Sequence, residues 1–270
     1  MERLASGFFN ISGATVDASG QLYFVDAHWQ RIYKWSPEAK EAAIVRDKPL
    51  DPVNFLFDKA GDLIVVSYGG NGTVYSFRPD SPGYEMTLLK PEATADRSAM
   101  SPFLAADVWG TSNFTKTISS ERPFQYLSPD HTVFIPAGDD FVQGRLYYGT
   151  KMADILRAFS LVRAIRGRPF YVSDESGEKT YSADVTSSGT LSDPRLFAEQ
   201  GGESVAQDKE GNVYLAVGQI YVYDSKGTRI DTITVPERPI DLLFGGKDNH
   251  TLFILAHSSL YAVRTRFGGL

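Results

Sequence analysis

The sequence predicts an all-β chain forming one domain, residues 1–270, built as a six-bladed β-propeller of four-stranded antiparallel blades. Three observations predict it. One strand–turn–strand unit returns six times along the 270 residues. Its spacing falls close to the ~40–50 residues of a propeller blade. Aromatic residues make up 13% of the chain, with 17 Phe and 14 Tyr, a bias that suits pleated, half-buried strands. A two-sheet sandwich is the alternative, and the regular period argues against it.

The first copy runs from Ala14 to Asp26, with the turn Asp17-Ala18-Ser19-Gly20 between its strands. The second spans Phe55 to Val66 around Asp58-Lys59-Ala60-Gly61, and the third Gln125 to Ile135 around Ser128-Pro129-Asp130-His131. In the fourth only the strand after Gly167 is clear, as Arg168 to Asp174. The fifth spans Val205 to Ala216 around Asp208-Lys209-Glu210-Gly211, and the sixth Leu242 to Ile254. Asp, Asn, Ser or Pro opens each turn and Gly usually supplies positive φ, as a hairpin requires. Anchored at Gly20, Gly61, His131, Gly167, Gly211 and His250, the spacings are 41, 70, 36, 44 and 39. An insertion at about residues 90–122 accounts for the 70. Third strands are predicted at Arg31–Trp35, Thr73–Phe77, Lys179–Ala183 and Gln219–Tyr223, and fourth strands at Ala42–Val45 and Arg229–Ile233. The last unit stops after Leu260–Arg264, so Glu2–Ser6 is expected to supply its outer strand and close the ring. Met152, Ile155, Leu156 and Phe159 follow helical spacing where the period asks for strands, which leaves a strand and a short helix both open there.

Composition narrows the function. Hydrophobic residues at 42% and charged residues at 22% exclude intrinsic disorder. Asp plus Glu, 33, exceeds Lys plus Arg, 27, and the net charge of −6 disfavours nucleic-acid and anionic-membrane partners. The absence of cysteine excludes disulfides, thiolate zinc sites and cysteine nucleophiles. No apolar run reaches the ~18 residues of a membrane span, and Met1-Glu2-Arg3-Leu4 does not begin a signal peptide, so a soluble chain of undetermined compartment is expected. There is no Gly-x-Ser-x-Gly elbow and no His-Glu-x-x-His zinc helix. The glycines of Tyr68-Gly69-Gly70-Asn71-Gly72-Thr73 lie between two strands and read as a hairpin rather than a phosphate loop. Arg157, Arg163, Arg166 and Arg168 form the one basic cluster, read as a solvated face, with an anionic sugar or sugar-acid ligand held by bidentate guanidinium contacts as the alternative.

Ser12-Gly13-Ala14-Thr15-Val16-Asp17 through Asp26, Tyr171-Val172-Ser173-Asp174 through Arg195, and Phe244-Gly245-Gly246-Lys247-Asp248 through Ile254 together resemble the SMP-30/gluconolactonase family of six-bladed propellers. The likeness covers about two-thirds of the chain. It implies a divalent cation on the propeller axis, held by a Glu in the first blade, Asn residues in the middle blades and an Asp in the fifth. This chain departs from that set. Ser12-Gly13-Ala14 stands where the family has Glu-Gly-Pro, Pro123-Phe124 where it has an Asn-Asp pair, and Phe159-Ser160 near a further Asn. Glu203-Ser204 replaces Asp-Gly, which keeps a carboxylate on a longer arm. Hard cations need several oxygen ligands. No metal is therefore expected at the family position, the alternative being one divalent cation such as Ca²⁺ or Zn²⁺ near Glu203.

Two functions follow as expectations. In the first, a small polar or carbohydrate-like ligand binds at the axial mouth, lined by Ser12, Trp29, Tyr68, Phe124 and Phe159. A protein partner or a neighbouring domain is the other occupant of that mouth. In the second, the chain hydrolyses lactones or related esters with Glu203, His28 and His257 as an acid–base set. His28 and His257 follow the second strands of the first and last units and are expected on one rim. Packing and backbone hydrogen bonds are the competing roles for both. Asp26 and Asp174 occupy equivalent unit positions and read as turn caps.

Overall fold

The computed structural model describes residues 1–48, 52–57, 61–67, 74–81, 87–88, 125–127, 132–134, 168–174, 178–185 and 191–270. The described residues contain no helix and form antiparallel sheets throughout. Strand β1 (Glu2–Ser6) precedes a first sheet of β2 (Ile11–Val16), β3 (Leu22–Asp26), β4 (Arg31–Ser36) and β5 (Glu41–Asp47). The second sheet holds β6 (Pro52–Phe57), β7 (Leu63–Ser67), β8 (Val74–Phe77) and β9 (Thr87–Leu88). A pair of short strands follows, β10 (Gln125–Leu127) and β11 (Thr132–Phe134), then a three-stranded sheet of β12 (Pro169–Asp174), β13 (Lys179–Val185) and β14 (Leu191–Ala198). β15 (Ser204–Gln207), β16 (Val213–Val217), β17 (Gln219–Tyr223) and β18 (Arg229–Ile233) make the next sheet. The last consists of β19 (Asp241–Gly245), β20 (Thr251–Ala256) and β21 (Ser259–Arg264), with β1 hydrogen-bonded to the outer side of β21.

The first sheet and the last two run from a buried first strand to a largely exposed outer one. β15 and β19 are buried at every residue, whereas β18 is exposed at all but Ile233. The cause is face-to-face packing: an inner strand is covered on both faces by neighbouring sheets, so its apolar residues need not alternate. Val16, Leu22 and Phe24 of the first sheet pack with Leu243, Phe253 and Leu255 of the last. Tyr214 and Ala216 meet Phe244 and Ile254, and Tyr23 and Val25 meet Phe55 and Phe57. Tyr171 of the three-stranded sheet packs with Val205, Val213 and Leu215.

One turn chemistry recurs. Asp17 Oδ1 accepts the backbone N–H groups of Ser19 at 2.9 Å and Gln21 at 3.0 Å, with Gly20 at φ +80°. Asp208 accepts from Glu210 and Asn212, and Asp224 from Lys226 and Thr228, in the same pattern. The carboxylate stands in for a backbone acceptor and the glycine takes the left-handed position. The helix-spaced segment Met152 to Phe159 and the insertion at about 90–122 lie outside the described residues.

Candidate functional site

Glu203 is delivered by the Gly201-Gly202 pair ahead of β15. A Cβ on Gly202 would come within 1.7 Å of the Ala216 carbonyl oxygen, so only glycine lets the chain approach β16 this closely. The Glu203 N–H then donates to that same carbonyl at 3.0 Å, which fixes the backbone beneath the carboxylate. Its side chain is 19% exposed and ion-paired with Arg238, which is 60% exposed. Together with Glu237, Ile240, His257 and Ser258 the pair lines a cavity of about 480 Å³. Glu203 and His257 thus share one cavity wall. His28 does not line it.

Glu237 comes from the loop between β18 and β19 and lines the same cavity. Its carboxylate accepts the Ser258 hydroxyl at 2.9 Å, the Ser259 hydroxyl at 2.5 Å, the Tyr261 hydroxyl at 3.1 Å and the Ser258 N–H at 3.3 Å. Burial alone would raise its pKa. The hydroxyl donors Ser259, Ser258 and Tyr261 outweigh that and hold the carboxyl below the ordinary Glu range. Behind Glu203, the buried Ser204 hydroxyl donates to Asp241 Oδ1 at 2.7 Å and accepts the Leu242 N–H at 3.0 Å. Counting back from the hairpin turns, Asp241 occupies the same place in its sheet as Glu203 and Ser12 do in theirs.

Ser12 lies in a β-bulge, where Ile11 pairs with Asp26 and Ala14 with Phe24, so that residues 12 and 13 oppose Val25 alone. Tyr68, Phe124 and Phe159 lie outside the described residues. Asp26 is a buried cap: its carboxylate accepts the N–H groups of Phe9 at 2.8 Å, Asn10 at 3.3 Å, His28 at 3.2 Å and Trp29 at 3.4 Å. Both His28 and His257 are exposed. His28 stacks on Phe9 with ring centroids 3.8 Å apart and meets Trp29 edge-on at 4.7 Å. His250 sits in a turn, with Nδ1 3.3 Å from the Thr265 carbonyl oxygen. Arg168 donates to the Lys209 carbonyl oxygen at 3.3 Å. Glu237 and Arg238 carry no periodic or motif signal. Their role emerges only once β18, β19 and β21 are brought together.

Among the described residues, no three His, Asp or Glu side chains converge as a metal-ligand group. A larger cavity of about 530 Å³ borders β1 and is walled by Leu4, Trp35, Phe253 and Val263 among others. Glu2 and Arg264 also line it, and Arg264 is paired with Asp248, which does not. Among the described residues, no helix is long and apolar enough to cross a membrane.

Residues 165–258 match the family model of the SMP-30/gluconolactonase/LRE-like region. Solved structures resemble nearly the whole chain. A gluconolactonase from Xanthomonas campestris, described as important in glucose secondary metabolic pathways, shares 17% identity at a TM-score of 0.66, covering 99% of this chain and 89% of its own. A luciferin-regenerating enzyme shares 15% at 0.67, covering 99% and 95%. Regucalcin from Agrobacterium tumefaciens, a calcium-binding protein, shares 14% at 0.63, covering 99% and 96%. A search of curated proteins finds no match. At these identities the likeness carries the fold, that of a gluconolactonase-like β-propeller, and leaves the ligand to the site's own chemistry.

Proposed function

We propose that this gluconolactonase-like propeller, matched to the SMP-30/gluconolactonase family over residues 165–258, closes as six blades and binds a small polar, carbohydrate-like ligand at the mouth cavity. The observation that carries this reading is the Glu203–Arg238 pair set in the cavity wall beside Glu237, His257 and Ser258. A carboxylate accepts hydroxyl protons and a guanidinium donates to hydroxyl or carbonyl oxygens, so the two together suit a polyhydroxylated molecule.

The family's divalent cation does not fit the donors present here. Glu203 already faces the positive charge of Arg238. Ser12 offers a hydroxyl in place of a carboxylate, Pro123 has no side-chain oxygen, and Phe124 and Phe159 are hydrocarbon. A hard cation needs six or more oxygens. The guanidinium takes over the balance of charge that a metal would otherwise supply.

A second reading, hydrolysis of sugar lactones or related esters, is favoured by one observation: Glu203 and His257 line the same cavity, a pairing suited to general acid–base work. Calorimetry with glucose, gluconate and glucono-1,5-lactone, paired with lactone turnover with and without EDTA or added Ca²⁺ or Zn²⁺, separates the two. Under the binding reading at least one of these molecules binds, Arg238→Ala and Glu203→Gln each weaken it by about tenfold or more, and the added ions change nothing. Stoichiometric metal with metal-stimulated turnover would overturn it.

A further inference from the structure

We infer that Phe9, His28 and Trp29 form an aromatic shelf beside the cavity that takes the ring face of a second saccharide unit, so that the ligand is at least a disaccharide. This rests on the carbohydrate reading of the cavity and extends it to a further subsite.

The shelf is conspicuous in its exposure. Phe9 is 55% and Trp29 49% exposed, and His28 lies open between them. Large aromatic rings shown to water in one contiguous patch mark a contact surface far more often than isolated ones do. These rings are also fixed. Phe9 and His28 lie nearly parallel, 24° apart at 3.8 Å, and Trp29 stands at 84° to His28. The Arg31 guanidinium sits 5.7 Å from the Trp29 ring centroid. Beneath them the buried Asp26 carboxylate gathers the N–H groups of Phe9, His28 and Trp29, so one group sets the backbone of all three. A surface ordered before binding loses little conformational entropy on binding.

The backbone under the shelf is tied to the cavity wall. The chain from Gly7 to Ile11 bridges them: the Gly7 and Phe8 N–H groups donate to the Ser258 carbonyl at 3.1 and 3.2 Å, and the Ile11 N–H to the His257 carbonyl at 3.0 Å. His257 and Ser258 are cavity walls. Phe9 lies one residue from Phe8 and two from Ile11, so its Cα is within roughly 7.6 Å of an anchored position on either side. A pyranose presents an apolar C–H face and an edge of hydroxyls. The shelf matches the face, and Glu203 and Arg238 match the edge. An apolar occupant would strip water from the Glu203–Arg238 ion pair and offer it no hydrogen bonds in return, which favours a saccharide chain over an apolar peptide.

A printed array of mono- to hexasaccharides, followed by calorimetry on the sugars retained, tests the inference. Oligosaccharides of two or more rings should bind at least tenfold more tightly than their own monosaccharide. Their binding should shift the tryptophan emission to shorter wavelength, because Trp29 leaves water. Trp29→Ala should bring oligosaccharide affinity down to the monosaccharide level, Trp29→Phe should restore most of it, and Phe9→Ala should act in the same direction as Trp29→Ala. Circular dichroism confirms that each variant is folded. Monosaccharide binding with no gain on lengthening, or full oligosaccharide affinity in a folded Trp29→Ala, would overturn the shelf alone. A chain that binds no saccharide of any length would overturn the reading of the cavity as well.

Discussion

Glu237 couples the cavity to the stability of the sheet beside it. One carboxylate receives hydroxyls from Ser258, Ser259 and Tyr261, all on the turn into β21 or on that strand. Hydrogen bonds to a charged acceptor are worth about 1.5–3 kcal/mol when buried and less where solvent screens them. Glu237→Gln is therefore expected to lower the unfolding free energy by about 1–2 kcal/mol at neutral pH, read from urea denaturation. The pH dependence has a definite sign. Its carboxyl is depressed in the folded chain, so its stabilisation is complete above the ordinary Glu range and is lost as pH falls through the folded value. The gap between the parent and Glu237→Gln should close on titration from pH 7 to below pH 4. A gap that stays constant across that range would mean that the hydroxyl cluster holds a neutral acceptor equally well.

At the level of elements, the hairpin turns carry much of the specification, and two glycines separate their contributions. Gly20 and Gly61 both sit at positive φ, +80° and +86°. A Cβ on Gly20 would lie 2.2 Å from the Gly246 carbonyl oxygen, in the turn of the neighbouring sheet, while a Cβ on Gly61 would meet nothing within 4 Å. Gly61→Ala should cost only the backbone strain, about 1 kcal/mol, and Gly20→Ala the strain plus the forced separation of two turns, about 2–4 kcal/mol. Thermal denaturation of both variants measures the difference, and equal losses would mean the two turns yield freely. The repeat's turns were legible in the sequence because their chemistry is local: Asp17 and Asp208 each cap N–H groups two and four residues on, and Asp224 does the same in a turn the repeat did not mark. Strands were legible for the same reason, as in Arg229–Ile233, whose predicted bounds are those of β18. The capping role of Asp26 was legible as well, from its place at a strand end. The walls of the site were not. Glu237 meets partners 21 to 24 residues away, Asp241 meets Ser204 37 residues away, and Phe9 reaches Asp26 across 17. No periodicity encodes such meetings. Glu203 was singled out because it falls where a family ligand stands, and His257 because it follows a repeated strand.

Across the whole molecule, the first and last strands share one sheet. Glu2 pairs with Ala262, Arg3 with Tyr261, Ala5 with Leu260 and Ser6 with Ser259, with a bulge between Arg3 and Ala5. Leu4 packs against the core that the first and last sheets build between them. Without β1, β21 would present a row of unpaired N–H and C=O groups, and Leu260 and Tyr261 would lose part of their cover, the kind of edge that recruits other chains. Removal of residues 1–6 is expected to cost about 3 kcal/mol, from lost ladder bonds and the packing of Leu4, and to make the chain associate as its concentration rises. The missing strand should act in trans. A synthetic peptide of residues 1–8 added in excess should raise the midpoint of the truncated chain by occupying the same edge, as strand-addition partners do. A scrambled peptide of equal composition should not. Denaturation of the truncated chain, with and without each peptide, decides the matter. An unchanged midpoint after truncation would mean that face-to-face packing of the sheets holds the last one without its outer strand. A loss that the scrambled peptide repairs equally well would mean that the edge needs only an apolar cover and that the register of β1 on β21 is unimportant.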